Sequence, residues 1–157
     1  MALSAVGTLS GVSVCGVTCD KTSFSCTVVA DGQVKDHDIV VPPGLQGDRP
    51  QALSWLLEEA ERFFQIHRIL DVRVWSAPSR GRFAASSERA EVEACIKIAA
   101  HHGRAVVRCM DKEKVRAAYG LPKATGAYDT LLARPDVHER GNDKRRNQYL
   151  MAKAPAE

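Results

Sequence analysis

Residues 12–41 read VSVCGVTCDKTSFSCTVVADGQVKDHDIVV, and this stretch decides the fold. Asp31-Gly32 divides two apolar runs, and both residue types tolerate the positive φ that a tight hairpin requires. The alternating small, apolar and β-branched residues predict three strands, over Val12–Cys19, Phe24–Val29 and Val34–Val41. The stretch therefore predicts an antiparallel three-stranded meander.

The rest of the chain alternates helices with strands. Periodic apolar positions and capping residues predict helices over Asp48–His67, from Ser86 or Ser87 to Gly103, from Asp111 to Tyr119 and over Asn142–Ala152. Two further strands are predicted over Leu70–Trp75 and Ala105–Met110. Because a helix precedes each of them, we expect them to join the sheet in parallel through right-handed crossovers. This order is that of an RNase H-like α/β fold, a mixed five-stranded sheet of three antiparallel meander strands and two parallel strands with flanking helices.

Composition bounds the class of protein. The chain has 157 residues, of which 45% are hydrophobic and 26% charged, and a formal net charge of +3. These values fit one globular domain and exclude disordered and coiled-coil classes. With no signal-peptide pattern and no apolar run of about 20 residues, a cytoplasmic location is expected. We divide the chain into an N-terminal tail (1–11), an RNase H-like core (12–120) and a C-terminal extension with a basic terminal helix (121–157).

The cysteines are odd in number and lie in apolar stretches. They are Cys15, Cys19, Cys26, Cys95 and Cys109. No Cys-x-x-Cys or His-x-x-x-His pair accompanies them, so no zinc site is predicted. We predict buried free thiols.

The first strand carries Cys15-Gly16-Val17-Thr18, which resembles the apolar-Gly-apolar-Asp motif of the RuvC-type Holliday-junction resolvases. Asp71 to Ser76 is similar to the fourth-strand stretch that ends in Glu in that family. The resemblance implies a site for two Mg²⁺ or Mn²⁺ ions held by carboxylates on neighbouring elements. Thr18 stands at the first acid position, and Ser76, or Trp75 with a one-residue shift, at the second. The motif positions are therefore those of a degenerate active site.

A closer likeness is to a family of small uncharacterised bacterial proteins with an RNase H-like layout. Their Val-Cys-Gly-Val-Glu, Gly-Lys-Phe-Ala and Lys-Met-Glu-Ala-Ala motifs are similar to residues 14–18, 79–84 and 90–96. The likeness covers roughly residues 12–119. It departs from that family at Thr18 and Ser76.

Other carboxylates offer an alternative catalytic set. Asp20 follows Thr18 by two residues, which places both on the same strand face because side chains alternate with period two. Asp143 lies where the fold's last acid is expected, and Glu88 completes a hypothetical cluster. Asp20 and Asp143 are the catalytic candidates of this alternative, a Mg²⁺-dependent nuclease with relocated carboxylates. In the simpler interpretation, Asp20 starts a turn, and Glu88 and Asp143 each stabilise the N-terminus of a helix.

Basic residues indicate a polyanionic partner. Arg80, Arg82 and Arg89 flank the loop after the fourth strand, and Lys144, Arg145 and Arg146 crowd the first turn of the last helix. Cations so arranged suit phosphate contacts. A bound anion would offset their unfavourable position on the helix dipole, although a solvated helix end also accounts for them. Trp75 is either a core residue or a stacking platform.

Three functions remain open from the sequence. We favour a non-catalytic RNase H-like module that binds nucleic acid or a protein that handles it, with no cofactor. The second is the Mg²⁺-dependent nuclease, and the third is a small protein-directed inhibitor or adaptor of phage or mobile-element origin. The RuvC resemblance also implies a homodimer.

Overall fold

The computed structural model describes residues 13–76 and 86–155. The strands are β1 (Ser13–Cys19), β2 (Ser23–Ala30), β3 (Gln33–Val40), β4 (Ile69–Trp75) and β5 (Val106–Met110). The helices are α1 (Arg49–Ile66), α2 (Ser87–His102), α3 (Lys112–Ala118), α4 (Ala127–Leu132), α5 (Pro135–His138) and α6 (Asp143–Lys153), with a 3₁₀ turn over Pro43–Leu45. In these two ranges no helix combines the length and the apolar character that a membrane crossing needs.

The five strands form one mixed sheet in the order β3-β2-β1-β4-β5. β1, β2 and β3 pair antiparallel, and β4 and β5 join β1 in parallel. Asp31 and Gly32 both adopt positive φ in the β2–β3 turn, as the hairpin signal requires. The predicted sheet is confirmed.

Side-chain caps fix the helix starts that the sequence predicts. Asp48 accepts a hydrogen bond from the Gln51 amide at 3.1 Å, and Ser86 accepts one from the Arg89 amide at 3.2 Å. Each cap satisfies an amide that lacks a partner in the first helical turn. Asp111 and Asn142 do the same for α3 and α6. The sequence signal for the short helices α4 and α5, by contrast, is weak, because Gly126, Pro135 and Gly141 divide that region into short pieces.

Helices cover both faces of the sheet because successive strand residues point to opposite sides. One face packs on α1 and α2, with a core that includes Phe24, Leu56, Val72 and Ile96. The other face carries α6 and a second apolar cluster that draws residues from α3 to α6, among them Val115, Leu131, Leu150 and Met151. The segment predicted as a C-terminal extension thus supplies the helices over this second face.

All five cysteines are free thiols, as predicted. Cys15, Cys19, Cys26 and Cys95 are buried, and burial raises the pKa of the Cys15, Cys19 and Cys95 thiols. The prediction of burial is wrong for Cys109, which is only half-buried. Cys109 lies on β5, an edge strand that has a sheet neighbour on one side only.

Gly16 allows α6 to approach the sheet closely. A Cβ atom built at this position would lie 2.1 Å from the carbonyl oxygen of Gln148 on α6. That distance is far inside van der Waals contact, so any larger residue forces the helix away from β1. Gly16 is therefore needed for the position of α6, apart from any backbone preference of glycine.

We predict that Gly16→Ala lowers the free energy of unfolding by about 1–3 kcal/mol, because an overpacked interior must shift backbone. Urea unfolding measures this loss. Gly44→Ala is the matched control, since no heavy atom lies within 4 Å of its added Cβ. We expect this control within about 0.5 kcal/mol of the parent. Equal effects of the two substitutions would show that the α6 approach is not tight.

Candidate functional site

The first half of α6 docks on the sheet through polar side chains. Gln148 is fully buried, and its Nε2 donates to the Thr18 hydroxyl at 2.6 Å. Its Oε1 accepts hydrogen bonds from the Thr27 hydroxyl at 3.2 Å and from Arg145 Nη1 at 3.0 Å. A buried amide costs free energy unless it is satisfied, and these partners satisfy it. Thr18, at the first acid position of the motif, is thus engaged by the last helix.

A row of polar residues crosses the sheet beside Thr18. Thr18 pairs with Ser25 on β2, and Ser25 pairs with Asp38 on β3. Lys144 Nζ donates to the Ser25 hydroxyl at 3.2 Å, and Arg145 forms an ion pair with Asp38 at 2.6 Å. The Ser25 hydroxyl holds the pKa of Asp38 below its usual range, helped by the charges of Arg145 and Lys144 and opposed by partial burial.

A shallow pocket of about 310 Å³ opens at the carboxyl ends of β1 and β4. Ligands of α/β sheets commonly bind at this edge. Arg89 reaches it from α2 and donates to the Trp75 carbonyl oxygen at 3.4 Å, and the Tyr128 hydroxyl holds Asn147 by a hydrogen bond. The lining residues are Thr18, Cys19, Asp20, Ser23, Ser25, Trp75, Arg89, Lys144 and Asn147.

The donor set of this pocket does not fit the two divalent ions that the resemblance implies. Mg²⁺ is bound through carboxylates, whereas the lining residues that the structure describes offer one carboxylate, Asp20, beside two cations, Arg89 and Lys144. Over residues 13–76 and 86–155, no three His, Cys, Asp or Glu side chains are grouped so that they could hold a metal ion. The remaining residues add a single acid, Glu157. The lining suits an anion better than a cation.

The strand register decides between the two candidates for the second acid position. Val17 on β1 pairs with Val74 on β4, so Trp75 is the residue beside Thr18. Ser76 follows the end of β4, and its amide donates to the Met110 carbonyl oxygen at 2.8 Å. The position facing the pocket is therefore that of Trp75. Trp75 is half-buried, with its ring centroid 6.2 Å from that of Tyr128, and it also lines the pocket.

The three candidate acids lie on different elements, and each has its own local contacts. β1 ends at Cys19, and Asp20 lies in the following turn, where its amide donates to the Ser23 carbonyl oxygen. Asp20 therefore does not share a strand face with Thr18, and that prediction is wrong. Asp20 does line the same pocket as Thr18. Asp143 lies in the first turn of α6, 3.4 Å from Arg146, and Glu88 lies in the first turn of α2, 3.8 Å from Lys21.

The predicted basic residues divide into two groups. Arg89 and Lys144 meet at the pocket, although Arg89 also pairs with Glu93 at 3.3 Å. Arg145 is held by Asp38, and Arg146 contacts Asp143 and His138. These partners compensate the cations in the first turn of α6, which the helix dipole disfavours. Arg80 and Arg82 lie outside the described residues.

Sequence reasoning missed Ser25, Asn147 and Gln148. They are neutral residues without a motif, so nothing local marks them as site residues. One signal was present, because Lys144 and Gln148 are four apart and share a helix face. Another was the two-residue hairpin, whose register alone places Ser25 opposite Asp38.

Comparison with one solved structure supports the fold. No protein-family model matches the chain, and no curated protein matches it. The structure of Thermus thermophilus RuvC is similar, with a TM-score of 0.65, 15% sequence identity and coverage of 89% of this chain and 90% of that one. T. thermophilus RuvC in complex with a Holliday junction substrate gives a TM-score of 0.49 at 18% identity, with 75% of this chain and 87% of that chain covered. The fold is RNase H-like, as predicted.

The Asp38 ion pair predicts a pH dependence of stability. A lowered carboxyl pKa stabilises the fold above the ordinary Asp range, near pH 4, and this stabilisation is lost as the pH falls through the lowered value. Asp38→Asn should therefore lower the urea midpoint at pH 7, and the difference from the parent should shrink toward zero in strong acid. Glu58→Gln, at an exposed position of α1, is the control and should change neither midpoint. An equal Asp38→Asn difference at both pH values would contradict the prediction.

Proposed function

We propose that this chain is a non-catalytic, degenerate RNase H-like module that binds nucleic acid through the pocket at the carboxyl ends of β1 and β4. One observation carries the proposal. Among the described lining residues, hydroxyls, an amide and two cations accompany a single carboxylate, Asp20, at the place where metal-dependent cleavage would need several carboxylates. Phosphate oxygens accept hydrogen bonds from such donors and are attracted by such cations.

Lys144 is the residue on which we expect binding to depend most. Its described hydrogen-bond partner is the neutral Ser25 hydroxyl, so no direct ion pair neutralises it there. An ammonium group on a flexible stem acts as a point charge that can reach a phosphate without fixed geometry. Arg89 contributes less net charge because Glu93 lies 3.3 Å from it.

The sequence of the segment that joins β4 to α2 is basic. Residues 77–85 contain Arg80 and Arg82 and no acid. The strand before this segment and the helix after it supply two lining residues, Trp75 and Arg89. Because Glu93 pairs with Arg89 and Asp20 adds one negative charge to the lining, we expect a modest affinity, in the range of about 10⁻⁴ to 10⁻⁶ M that is typical of non-specific binding, and it should weaken with salt.

The sequence resemblances support a more specific proposal about the relatives of this chain. We propose that the chain is related to the small bacterial proteins with a Cys-Gly-Val first strand, with the acids lost at Thr18 and at the end of the fourth strand. A cytoplasmic location and a homodimer complete the proposal.

Fluorescence anisotropy tests this function. End-labelled single-stranded, duplex and four-way-junction DNA and the matching RNAs are titrated with protein in Mg²⁺ over a salt series. Lys144→Ala should weaken binding about fivefold, as expected for the loss of about 1 kcal/mol from one exposed charge contact. It should also reduce the slope of log affinity against log salt by about one. Lys153→Ala, on the same helix, removes the same charge away from the pocket and should change neither quantity.

The samples are then run on a gel, which separates the rival functions. Intact substrate with the Lys144 effect supports the proposal. Mg²⁺-dependent cleavage that is lost in Asp20→Asn or Asp143→Asn would overturn it in favour of the nuclease. If no nucleic acid binds at low salt, the proposal fails and a protein-directed adaptor takes its place.

A further inference from the structure

A second and larger cavity, of about 570 Å³, lies at the other end of α6, on the same face of the sheet. Its volume is within the roughly 300–1,000 Å³ typical of small-molecule sites. Of the residues that the structure describes, three cations line it, Arg73 on β4, Arg108 on β5 and Lys114 on α3, and no acid does. The cavity is separate from the pocket proposed for nucleic acid and shares no lining residue with it.

Arg73 is a buried charge at the base of this cavity, with only 3% of its surface exposed. Its Nε and Nη2 donate hydrogen bonds to the Asp71 carboxylate at 3.2 and 3.0 Å. Its Nη1 donates to the carbonyl oxygens of Met151 and Ala154. A guanidinium has five N–H donors, so one on Nη2 has no described partner. Because Asp71 balances only Arg73, the other two cations leave the cavity positively charged.

Arg108 stands directly beside Arg73 in the register of β4 and β5. Like charges opposite one another on a sheet face are destabilising, and an anion beside Arg108 would offset part of that cost. Lys114 Nζ donates to the carbonyl oxygen of Cys109 at 3.1 Å. Because this acceptor is neutral, it does not balance the positive charge of Lys114. These three cations therefore converge on a cavity that favours an anion with more than one negative charge.

An apolar wall completes the lining. It consists of Met110, Ala117, Ala118 and Pro155, which offer a nonpolar surface to a ligand body. A phosphate monoester carries a charge of about −1.5 to −2 at neutral pH, which matches the cations. We propose that this cavity binds a nucleoside monophosphate, with its phosphate between Arg108 and Lys114 and its base against the apolar wall.

Isothermal titration calorimetry with adenosine monophosphate tests the proposal on the full chain. We expect adenosine and inorganic phosphate each to bind at least tenfold more weakly than the nucleotide, because adenosine lacks the phosphate group and inorganic phosphate lacks the base. Arg108→Gln and Lys114→Gln should each weaken nucleotide binding severalfold. Arg73 is left intact because it holds the end of α6. Lys123→Gln, at an exposed loop position, removes the same charge as the control and should leave binding unchanged.

Several outcomes would overturn the proposal. They are no heat of binding with millimolar nucleotide, equal affinity for adenosine and nucleotide, or unchanged binding in both Arg108→Gln and Lys114→Gln. Backbone-amide NMR shifts on nucleotide addition give a second readout that does not depend on a variant. The proposal expects them at Met110, Ala117 and Ala118, and shifts confined to other parts of the chain would contradict it.

Discussion

The close approach of α6 to β1 is the constraint on which both candidate sites depend. Gly16 leaves room for the Gln148 backbone, and the buried Gln148 side chain then bonds to Thr18 and Thr27. At the far end, Arg73 binds the last carbonyl oxygens of the helix. Held at two points, α6 presents Lys144 and Asn147 to one cavity and Ala154 to the other.

Polar docking of this helix also accounts for the chemistry of the first pocket. A pair of carboxylates at Thr18 and Trp75 would repel each other unless a cation or a shared proton compensated the charge. Hydroxyl and amide groups satisfy one another without an ion, and Arg145 is balanced by Asp38. The lining is thus complete without a divalent cation and retains a cation, Lys144, for an outside anion.

Much of the fold was predictable from the sequence, whereas little of the site was. Strand periodicity, the Asp31-Gly32 hairpin and the caps at Asp48 and Ser86 are local signals, and each has its counterpart in the structure. Gln148 and Ser25 become site residues only through contacts between elements distant in sequence, which no local pattern records. The resemblance indicated Thr18 as the first acid position, but it could not tell that Trp75 rather than Ser76 lies beside Thr18, since that depends on the β1–β4 register.

The central claim is that the pocket at the carboxyl ends of β1 and β4 accepts an anion in place of divalent metal ions. Backbone-amide NMR of isotopically labelled protein tests it most directly, with a short single-stranded oligonucleotide added without Mg²⁺ and, separately, with millimolar MgCl₂ alone. We predict that the oligonucleotide shifts the amide resonances of Thr18, Ser25, Lys144 and Asn147 and that MgCl₂ leaves these resonances unchanged. Shifts of Thr18 and Asp20 on addition of MgCl₂ alone, or no response of these amides to the oligonucleotide, would contradict it.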